Sequence, residues 1–312
     1  MLPEDRPTEL DSGGANAIGR MLGLLGDEWN LLIIQQALMG ANRYSQFMSR
    51  LPISNSVLTK RLRMLVDEGL LTSDYATTAR SRSLWPVLLS IWQWERVWVS
   101  EHRELLPAMR HAQCGELFAP VMRCTACATE LGDDDVELAV GPSGQWSRSA
   151  PAATTRRRSE SDAAARQAGL FPQTMAVLGN RWAAALLVAA FLGTRRFTDF
   201  QAQLGVPPSL LTERLQTFCD IGVLSAGQSE RSAYRLSGKG RALAGVLVTA
   251  LQWAQTWFVA PDGPAIVVRH RDCGTVLSGE LACDRCGDRL SGAQVDVTEQ
   301  VDVTAAESAG IP

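Results

Sequence analysis

Histidine and cysteine residues recur in two segments of this chain with the same order and spacing. The segments are "RHAQCGELFAPVMRCTAC", which ends at Cys127, and "RHRDCGTVLSGELACDRC", which ends at Cys286, and both read R-H-x2-C-G-x8-C-x2-C. A C-x2-C turn presents two thiolates to one metal ion, and two further nitrogen or sulfur ligands complete the tetrahedron that zinc prefers. Six of the seven cysteines fall in these patterns, so we interpret both segments as metal-binding.

The spacing predicts two structural Zn2+ sites, one inside each segment. The predicted ligands are His111, Cys114, Cys124 and Cys127 in the first, and His270, Cys273, Cys283 and Cys286 in the second. Four ligands leave no open coordination position, which is typical of structural rather than catalytic zinc. Three thiolates with a different fourth group are the alternative to histidine ligation. We expect each ion to hold together a ribbon that is too small to fold alone.

The remainder of the chain is duplicated as well. The segment from Leu25 to Leu71 aligns without a gap with the segment from Leu178 to Leu224, and both contain L-G-x-x-W and L-T-x-R-L. At 312 residues the chain is long enough for two domains with separate cores. The chain is therefore a tandem repeat of one helical unit with one Cys-rich appendix.

Each helical unit has the element order of a winged helix-turn-helix. In the first copy, helical apolar spacing covers residues 15–25 and 28–39, and a short third helix follows. A fourth helix places Leu58, Leu62 and Leu65 on one face and polar residues on the other, and Gly69 ends it before a short strand. A helix of this size fits the major groove of DNA. A helical bundle with a merely solvated polar face is the alternative.

The motifs resemble those of the HxlR-type winged helix-turn-helix transcription regulators. The resemblance rests on G-x-x-W, G-x-x-R-[YF]-x-x-F and L-T-x-R-L in both copies, and on "YRLSGKGRAL" in the second. The Cys-rich segments are similar to a zinc-ribbon tail that some members carry. The resemblance implies a DNA-binding repressor or activator that works as a dimer. It also implies that terminal helices form the dimer contact and that each protomer reads one half-site.

The predicted fold class is α+β, mainly α with small β: two winged helix-turn-helix domains, each followed by a small zinc ribbon. We expect the first winged domain over residues 14–106, its ribbon over 107–140 and a linker over 141–169. The second winged domain should cover residues 170–262, its ribbon 263–298 and a flexible tail 299–312.

The polar faces of the fourth helices, with nearby basic residues, are the predicted DNA contacts. Phosphate contacts are expected from Arg43, Arg61, Arg196, Arg214 and, on the second wing, Arg231, Arg235 and Lys239. Base contacts are expected from Ser56, Thr59, Lys60 and Arg63, and from Ser209, Thr212 and Gln216. The copies differ, because the second has Glu213 in place of Lys60. The wing segment of the first is shorter and is predicted to carry Arg80 and Arg82.

The sequence favours a sequence-specific DNA-binding transcription regulator in which the two copies pair as a single-chain pseudo-dimer. A Trp-rich helix is predicted to begin at Leu84 in the first copy and at Leu243 in the second. The predicted partners are double-stranded DNA and either a small-molecule effector between these two helices or the transcription machinery. Further homodimerisation stays open. A protein-binding regulatory module with weak or no DNA affinity is the alternative, favoured by Glu213 and by a pI of about 5.7.

Enzyme activity and membrane insertion are not expected. Neither copy has a nucleophile paired with a base, a phosphate-binding loop or an open metal site. The N-terminal residues lack the apolar core of a signal peptide. The longest apolar run, Trp182 to Leu192, is too short to span a bilayer. We therefore expect a cytoplasmic protein.

Overall fold

The computed structural model describes residues 6–103, 106–149, 172–227 and 233–298. Strand β1 (Thr8–Glu9) precedes the helices of the first copy: α1 (Ala17–Leu24), α2 (Glu28–Leu38), α3 (Tyr44–Arg50), α4 (Asn55–Asp67), α5 (Ala79–Arg82) and α6 (Trp85–Trp98). The first appendix contains β2 (Ala108–His111), β3 (Pro120–Cys124) and β4 (Val136–Val140), and α7 (Trp146–Ser149) follows.

The second copy repeats this order. Its helices are α8 (Pro172–Val177), α9 (Arg181–Phe191), α10 (Phe197–Leu204) and α11 (Pro208–Asp220), followed by the wing strands β5 (Leu224–Ala226) and β6 (Tyr234–Leu236). Then come α12 (Gly238–Arg241), α13 (Ala244–Trp257), β7 (Phe258–Val259), β8 (Ile266–His270), β9 (Gly279–Cys283) and β10 (Val295–Thr298). Within the described residues, no helix combines the length and apolarity needed to cross a bilayer.

The fourth helix of each copy forms where the apolar spacing predicts it. In α4, the Ser54 hydroxyl caps the N-terminus by accepting a hydrogen bond from the Val57 amide, and Leu58, Leu62 and Leu65 are buried. In α11, Pro208 occupies the first turn, where its missing N–H costs nothing. The buried residues of α11 are Leu211, Leu215 and Phe218, as predicted.

The wings differ between the copies. In the second copy, β5 and β6 form an antiparallel pair, whereas the first copy has one bridge between Leu71 and Thr77. The prediction of a short wing carrying Arg80 and Arg82 is wrong, because both residues lie on helix α5. The Thr78 side chain caps the N-terminus of this helix. Arg80 is buried and donates to the Glu68 carbonyl. It therefore anchors the fold and does not extend toward solvent.

The helices that end the two copies pack together, as expected for a pseudo-dimer. α13 packs against α6 and α1, and β1 pairs in parallel with β7. Two equivalent hydrogen bonds reveal an approximate twofold relation. The Trp94 indole donates to the Lys239 carbonyl at 3.0 Å, and the Trp253 indole donates to the Arg80 carbonyl at 2.9 Å.

A buried carboxylate adds a further contact between the copies. Glu95 on α6 is fully buried, and its Oε1 accepts hydrogen bonds from the Thr174 amide at 2.8 Å and the Thr174 hydroxyl at 2.7 Å. Thr174 lies in the first turn of α8, where free backbone N–H groups and the helix dipole favour a negative charge. Glu95 thus joins the last helix of the first copy to the first helix of the second.

Part of the predicted linker is packed onto the first copy. α7 lies against α1, and the Asn16 side chain donates to the Ser143 carbonyl at 2.7 Å and to Ser149 Oγ at 2.6 Å. Arg148 of the same segment also forms an ion pair with Asp262 of the second copy at 2.5 Å. The rest of the predicted linker, residues 150–169, and the predicted tail, residues 299–312, lie outside the described residues.

The strands of the two appendices pair with each other. β2 pairs with β10, β3 with β9 and β4 with β8, each time antiparallel and each time across the two copies. Met122 lies opposite Leu281 at the centre of the β3–β9 pair, and these residues occupy equivalent positions of the two copies. The approximate twofold axis therefore passes through this pair, and the appendices form one intertwined unit.

Candidate metal centres and nucleic-acid interface

The eight predicted metal ligands gather into two groups of four. One group is His111, Cys114, Cys283 and Cys286, and the other is Cys124, Cys127, His270 and Cys273. In each group all candidate ligand atoms lie within 4.8 Å of one another. Both groups could hold a metal ion.

Each group takes two residues from each copy, so the predicted assignment of one site to each appendix is wrong. The cause is the pairing of β3 with β9. Its antiparallel register places Cys124 opposite Gly279 at one end and Cys283 opposite Pro120 at the other. Each C-x2-C turn therefore meets the H-x2-C turn of the other copy. The spacing of the residues identifies the ligand types, but the exchange depends on strand pairing between distant segments.

The distances within the groups match a tetrahedral zinc site. Zn–S bonds of ~2.3 Å and Zn–N bonds of ~2.0–2.1 Å place two sulfurs ~3.8 Å apart and a sulfur and a nitrogen ~3.6 Å apart. Cys114 Sγ lies 4.0 Å from Cys283 Sγ and 3.5 Å from His111 Nδ1, which is 3.4 Å from Cys286 Sγ. Three thiolates and one imidazole therefore surround a space of the right size.

The second group has the same geometry. Cys124 Sγ lies 4.0 Å from Cys273 Sγ, and His270 Nδ1 lies 3.2 Å from Cys273 Sγ and 3.4 Å from Cys127 Sγ. Nδ1 faces the thiols in both groups, while the buried Nε2 atoms of His111 and His270 have no hydrogen-bond partner within the described residues. The nitrogen that faces the sulfurs is thus the one available to a metal.

Electrostatic surroundings distinguish the thiols of the second group. The Thr275 hydroxyl lies 3.0 Å from Cys273 Sγ, and hydrogen bonds from its side chain and backbone lower the pKa of Cys273 to about 6. The hydrogen bond with Cys273 raises the pKa of His270, against the opposing effect of desolvation. The thiolate is the form of cysteine that binds a metal, so a thiol that ionises readily is suited to be a ligand.

The outer face of α4 carries free cationic side chains. Ser56, Thr59, Lys60 and Arg63 are exposed, and within the described part of the chain Lys60 and Arg63 form no hydrogen bond or ion pair. The Tyr44 hydroxyl lies 3.2 Å from Thr59 Oγ1 and so occupies the same surface. Sequence reasoning missed Tyr44, although the tyrosine of G-x-x-R-[YF] was the available signal.

Two of the predicted phosphate contacts lie against the protein and not on the outer face. Arg61 forms an ion pair with Asp27 at 2.5 Å, and 11% of its side chain is exposed. Arg214, its equivalent in the second copy, is 18% exposed and lies 3.9 Å from Glu213. Each arginine lies three residues after a buried leucine of its helix, Leu58 or Leu211, so helical spacing could have placed it near the core.

The outer face of α11 is less basic than that of α4. Ser209, Thr212 and Gln216 are exposed, as predicted. The Thr212 hydroxyl donates to the Pro208 carbonyl at 2.9 Å, and the Gln216 amide donates to Asp220 Oδ1 at 2.7 Å. The second copy therefore presents polar groups that already have partners within their own helix.

The remaining predicted phosphate contacts divide into two sets. Arg43 and Arg196 are exposed at the N-termini of α3 and α10, and Arg235 is exposed on β6. These three positions suit contacts with a DNA backbone. Arg231 lies outside the described residues.

Lys239 has a different environment from the other predicted contacts. Its ammonium group donates to Gln173 Oε1 and lies 5.4 Å from the centre of the Trp94 ring. Desolvation lowers the pKa of Lys239, although Glu95 and Glu101 oppose the effect. The lysine takes part in the packing between the two copies.

Both helical units match the family model described as HxlR-like helix-turn-helix, over residues 24–103 and 177–261. The chain belongs to this family. The resemblance found in the sequence motifs is thus confirmed for both copies of this HxlR-like protein.

Known relatives are similar to part of the chain. An uncharacterized HTH-type transcriptional regulator of Mycobacterium tuberculosis, Rv3095, is 32% identical over 39% of this chain and 80% of its own length. YvaP of Bacillus subtilis, another such regulator, is 31% identical over 26% of this chain and 84% of its own length. The solved structure of PA1607, described as a putative transcription factor, is 30% identical, with a TM-score of 0.38, over 42% of this chain and 94% of that one.

Proposed function

We propose that this HxlR-like protein is a sequence-specific DNA-binding transcription regulator whose two copies act as an intramolecular pseudo-dimer. Its family and the regulators it resembles support this function. The observation that carries it furthest is the exposed face of α4, where Lys60 and Arg63 project without partners in the described residues. Arginine and lysine at such positions donate to guanine in the major groove.

The two copies would contribute unequally to recognition. α4 offers Lys60 and Arg63, whereas the equivalent positions in α11 are Glu213 and Gln216. An anion near DNA repels phosphate, although a glutamate can accept a hydrogen bond from cytosine. We therefore expect two different half-sites, about one helical turn or ~34–36 Å apart, with the first copy supplying most of the affinity.

A matched pair of substitutions tests this proposal. Arg63→Ala and Gln216→Ala change equivalent positions of the two recognition helices, and both side chains are exposed. Arg63→Ala should weaken binding by about 1–3 kcal/mol and relax the preference at one base pair, while Gln216→Ala should have a smaller effect. Arg43→Ala should weaken binding to all sequences and reduce the salt slope by about 1. Unchanged affinity in all three variants would refute the proposed interface.

We also propose that both metal centres hold zinc in a structural role. Three thiolates and one imidazole per group form a donor set suited to this ion, and the interatomic distances fit a tetrahedron. Zinc would supply folding free energy by joining strands that belong to different copies. The first group would use His111, Cys114, Cys283 and Cys286, and the second would use Cys124, Cys127, His270 and Cys273.

A protein-binding regulatory module is the second candidate function. The hydrogen bonds that Thr212 and Gln216 form within their helix favour it for the second copy, as does the placement of Lys239. In that case one copy would bind DNA and the other a protein such as part of the transcription machinery. Selection of a single half-site would support this alternative.

A further inference from the structure

A cavity of about 270 Å³ lies between the two copies and the intertwined strands. Trp94 and Trp98 of α6 line one side, and Ala244 and Gly245 of α13 line another. Met122 of β3 contributes to the floor. Trp98 is 37% exposed, whereas its equivalent in the second copy, Trp257, is 9% exposed. The cavity thus has an accessible aromatic wall.

The equivalent location across the approximate twofold axis is filled. Trp85 and Pro86 stand there at the positions that correspond to Ala244 and Gly245. Trp85 packs so closely that a Cβ on Gly292 would lie only 3.0 Å from its Cγ. Trp85 thus occupies space on its side of the axis that the smaller Ala244 leaves open on the other.

Polar groups along α6 also differ from their equivalents on α13. On the filled side, the Thr249 hydroxyl donates to the Gly245 carbonyl at 2.9 Å, and the Gln252 amide donates to the Gly279 carbonyl at 3.3 Å. On the cavity side, Ser90 is more than nine-tenths buried, and its Oγ has no hydrogen-bond partner in the described residues. Gln93 Oε1 is likewise buried and unpartnered in that part of the chain. Both side chains line the cavity.

A carboxylate at the mouth of the cavity supplies negative charge. Asp133 lines the cavity at the position where the second copy has Gly292. The neighbouring Asp134 has a cationic partner in Arg241 at 2.9 Å, but Asp133 forms no ion pair within the described ranges. Desolvation and the charge of Asp134 raise the pKa of Asp133, with Arg241 opposing them. Asp133 thus places a carboxylate without an ion-pair partner of its own, within the described residues, at the mouth of the cavity.

We propose that this cavity binds a small organic cation, an ammonium group carried on an aromatic or aliphatic body. The body would pack on Trp94, Trp98 and Met122, and the ammonium would lie near Asp133. Aromatic and apolar side chains such as these form the surface against which the body of a small ligand packs. Rotation of the Ser90 and Gln93 side chains toward the cavity would let their unpartnered Oγ and Oε1 atoms accept hydrogen bonds from the ligand and so orient it.

Ligand binding at this place would also influence DNA recognition. The cavity is bounded by α6 and α13, the helices that hold the two winged domains together. A ligand that moves one helix against the other would change the distance between the recognition helices. This consequence rests on the proposed function, whereas binding of the cation does not.

Calorimetric titration of the zinc-loaded full chain with three probes of one size tests the inference. The probes are 2-phenylethylamine, which is a cation at pH 7, the uncharged 2-phenylethanol and the anion phenylacetate. The amine should bind about 10-fold more tightly than the alcohol, which corresponds to one ion pair at a partly solvated site. Phenylacetate should not bind. No heat with any probe, or equal affinity for all three, would overturn the inference.

Two variants assign the binding to this cavity. Asp133→Asn should lower the affinity for the amine about 10-fold. It should change the affinity for the alcohol by less than about 2-fold, since asparagine retains the shape of the side chain. Ala244→Trp should abolish binding of both by reproducing the filling seen at Trp85. Asp67→Asn is the control variant, because Asp67 is an exposed carboxylate on α4 that does not line the cavity. It should bind the amine as tightly as the parent protein does. Unchanged amine affinity in Asp133→Asn would refute the assignment, whichever way the DNA-binding tests come out.

Discussion

The exchange of metal ligands between the copies predicts which pairs of cysteines act together. Cys114 and Cys283 belong to one group although they lie in different copies, while Cys114 and Cys124 lie in one copy but belong to different groups. A double substitution of Cys114 and Cys283 by Ser should therefore remove one zinc and keep the other. A double substitution of Cys114 and Cys124 should remove both.

The expected magnitudes follow from the ligand count. An intact structural zinc site binds with an apparent free energy of about 10–16 kcal/mol at pH 7. A site reduced to three ligands binds zinc far more weakly. A chelator of intermediate affinity therefore removes zinc from a site that has lost a ligand and leaves it in an intact site. We expect two zinc ions per parent chain, one per Cys114/Cys283 variant and none per Cys114/Cys124 variant.

The measurement is the zinc content of each variant after dialysis against the chelator. Atomic emission and native mass spectrometry both determine it. Cys219→Ser is the matched control, because Cys219 is the cysteine outside both groups, and it should retain two ions. One zinc in the Cys114/Cys124 variant and none in the Cys114/Cys283 variant would contradict the exchange. That pattern would show that each appendix holds its own ion.

Further predictions concern stability. Arg61→Ala should lower the free energy of unfolding by about 2 kcal/mol, because it leaves the Asp27 carboxylate without its partner, whereas Arg63→Ala should change it by less than about 0.5 kcal/mol. Chemical denaturation of both variants checks this difference, and equal effects would argue against the inward placement of Arg61. Glu95→Leu should cost about 1–3 kcal/mol by leaving the Thr174 amide and hydroxyl unpaired, and Glu95→Gln, which keeps an acceptor, should cost less. Thermal unfolding at pH 7 compares the stability of the Glu95→Leu and Glu95→Gln variants. A Gln variant as unstable as the Leu variant would refute the role of Glu95 as the hydrogen-bond acceptor for Thr174.

Much of the fold was predictable because it depends on local patterns. The leucines of α4 and α11 recur at helical spacing, and the buried residues are the ones that this spacing predicts. The duplication was visible because both copies kept their motifs. The terminal helices pair as the family resemblance implied, since their tryptophans and aliphatic residues cover more than one face.

The pairing of metal ligands was not predictable from spacing. The pattern H-x2-C-x9-C-x2-C offers a complete set of four ligands within each copy, and local chemistry cannot distinguish four neighbours from two plus two. The choice depends on β3 pairing with β9 across the approximate twofold axis. Strand pairing between segments so far apart in sequence is a property of the tertiary fold.

For the candidate DNA-contacting residues, the sequence indicates the residue types but only partly the directions in which the side chains lie. Arg63 is exposed on α4, whereas Arg61, two residues earlier, turns toward Asp27. Lys239 is predicted as a phosphate contact on the second wing, but its ammonium group lies over the Trp94 ring of the other copy. The motifs thus give the residue types, whereas the direction of each side chain depends on tertiary contacts with Asp27 or Trp94.

Selection of bound duplexes from random DNA by the zinc-loaded protein, at two salt concentrations, tests the central claim most directly. A single-chain regulator with two unequal recognition helices should enrich two different half-sites whose centres lie about 10 base pairs apart, and its affinity should fall as salt rises. No enrichment at either salt concentration would contradict the claim that this chain reads DNA sequence.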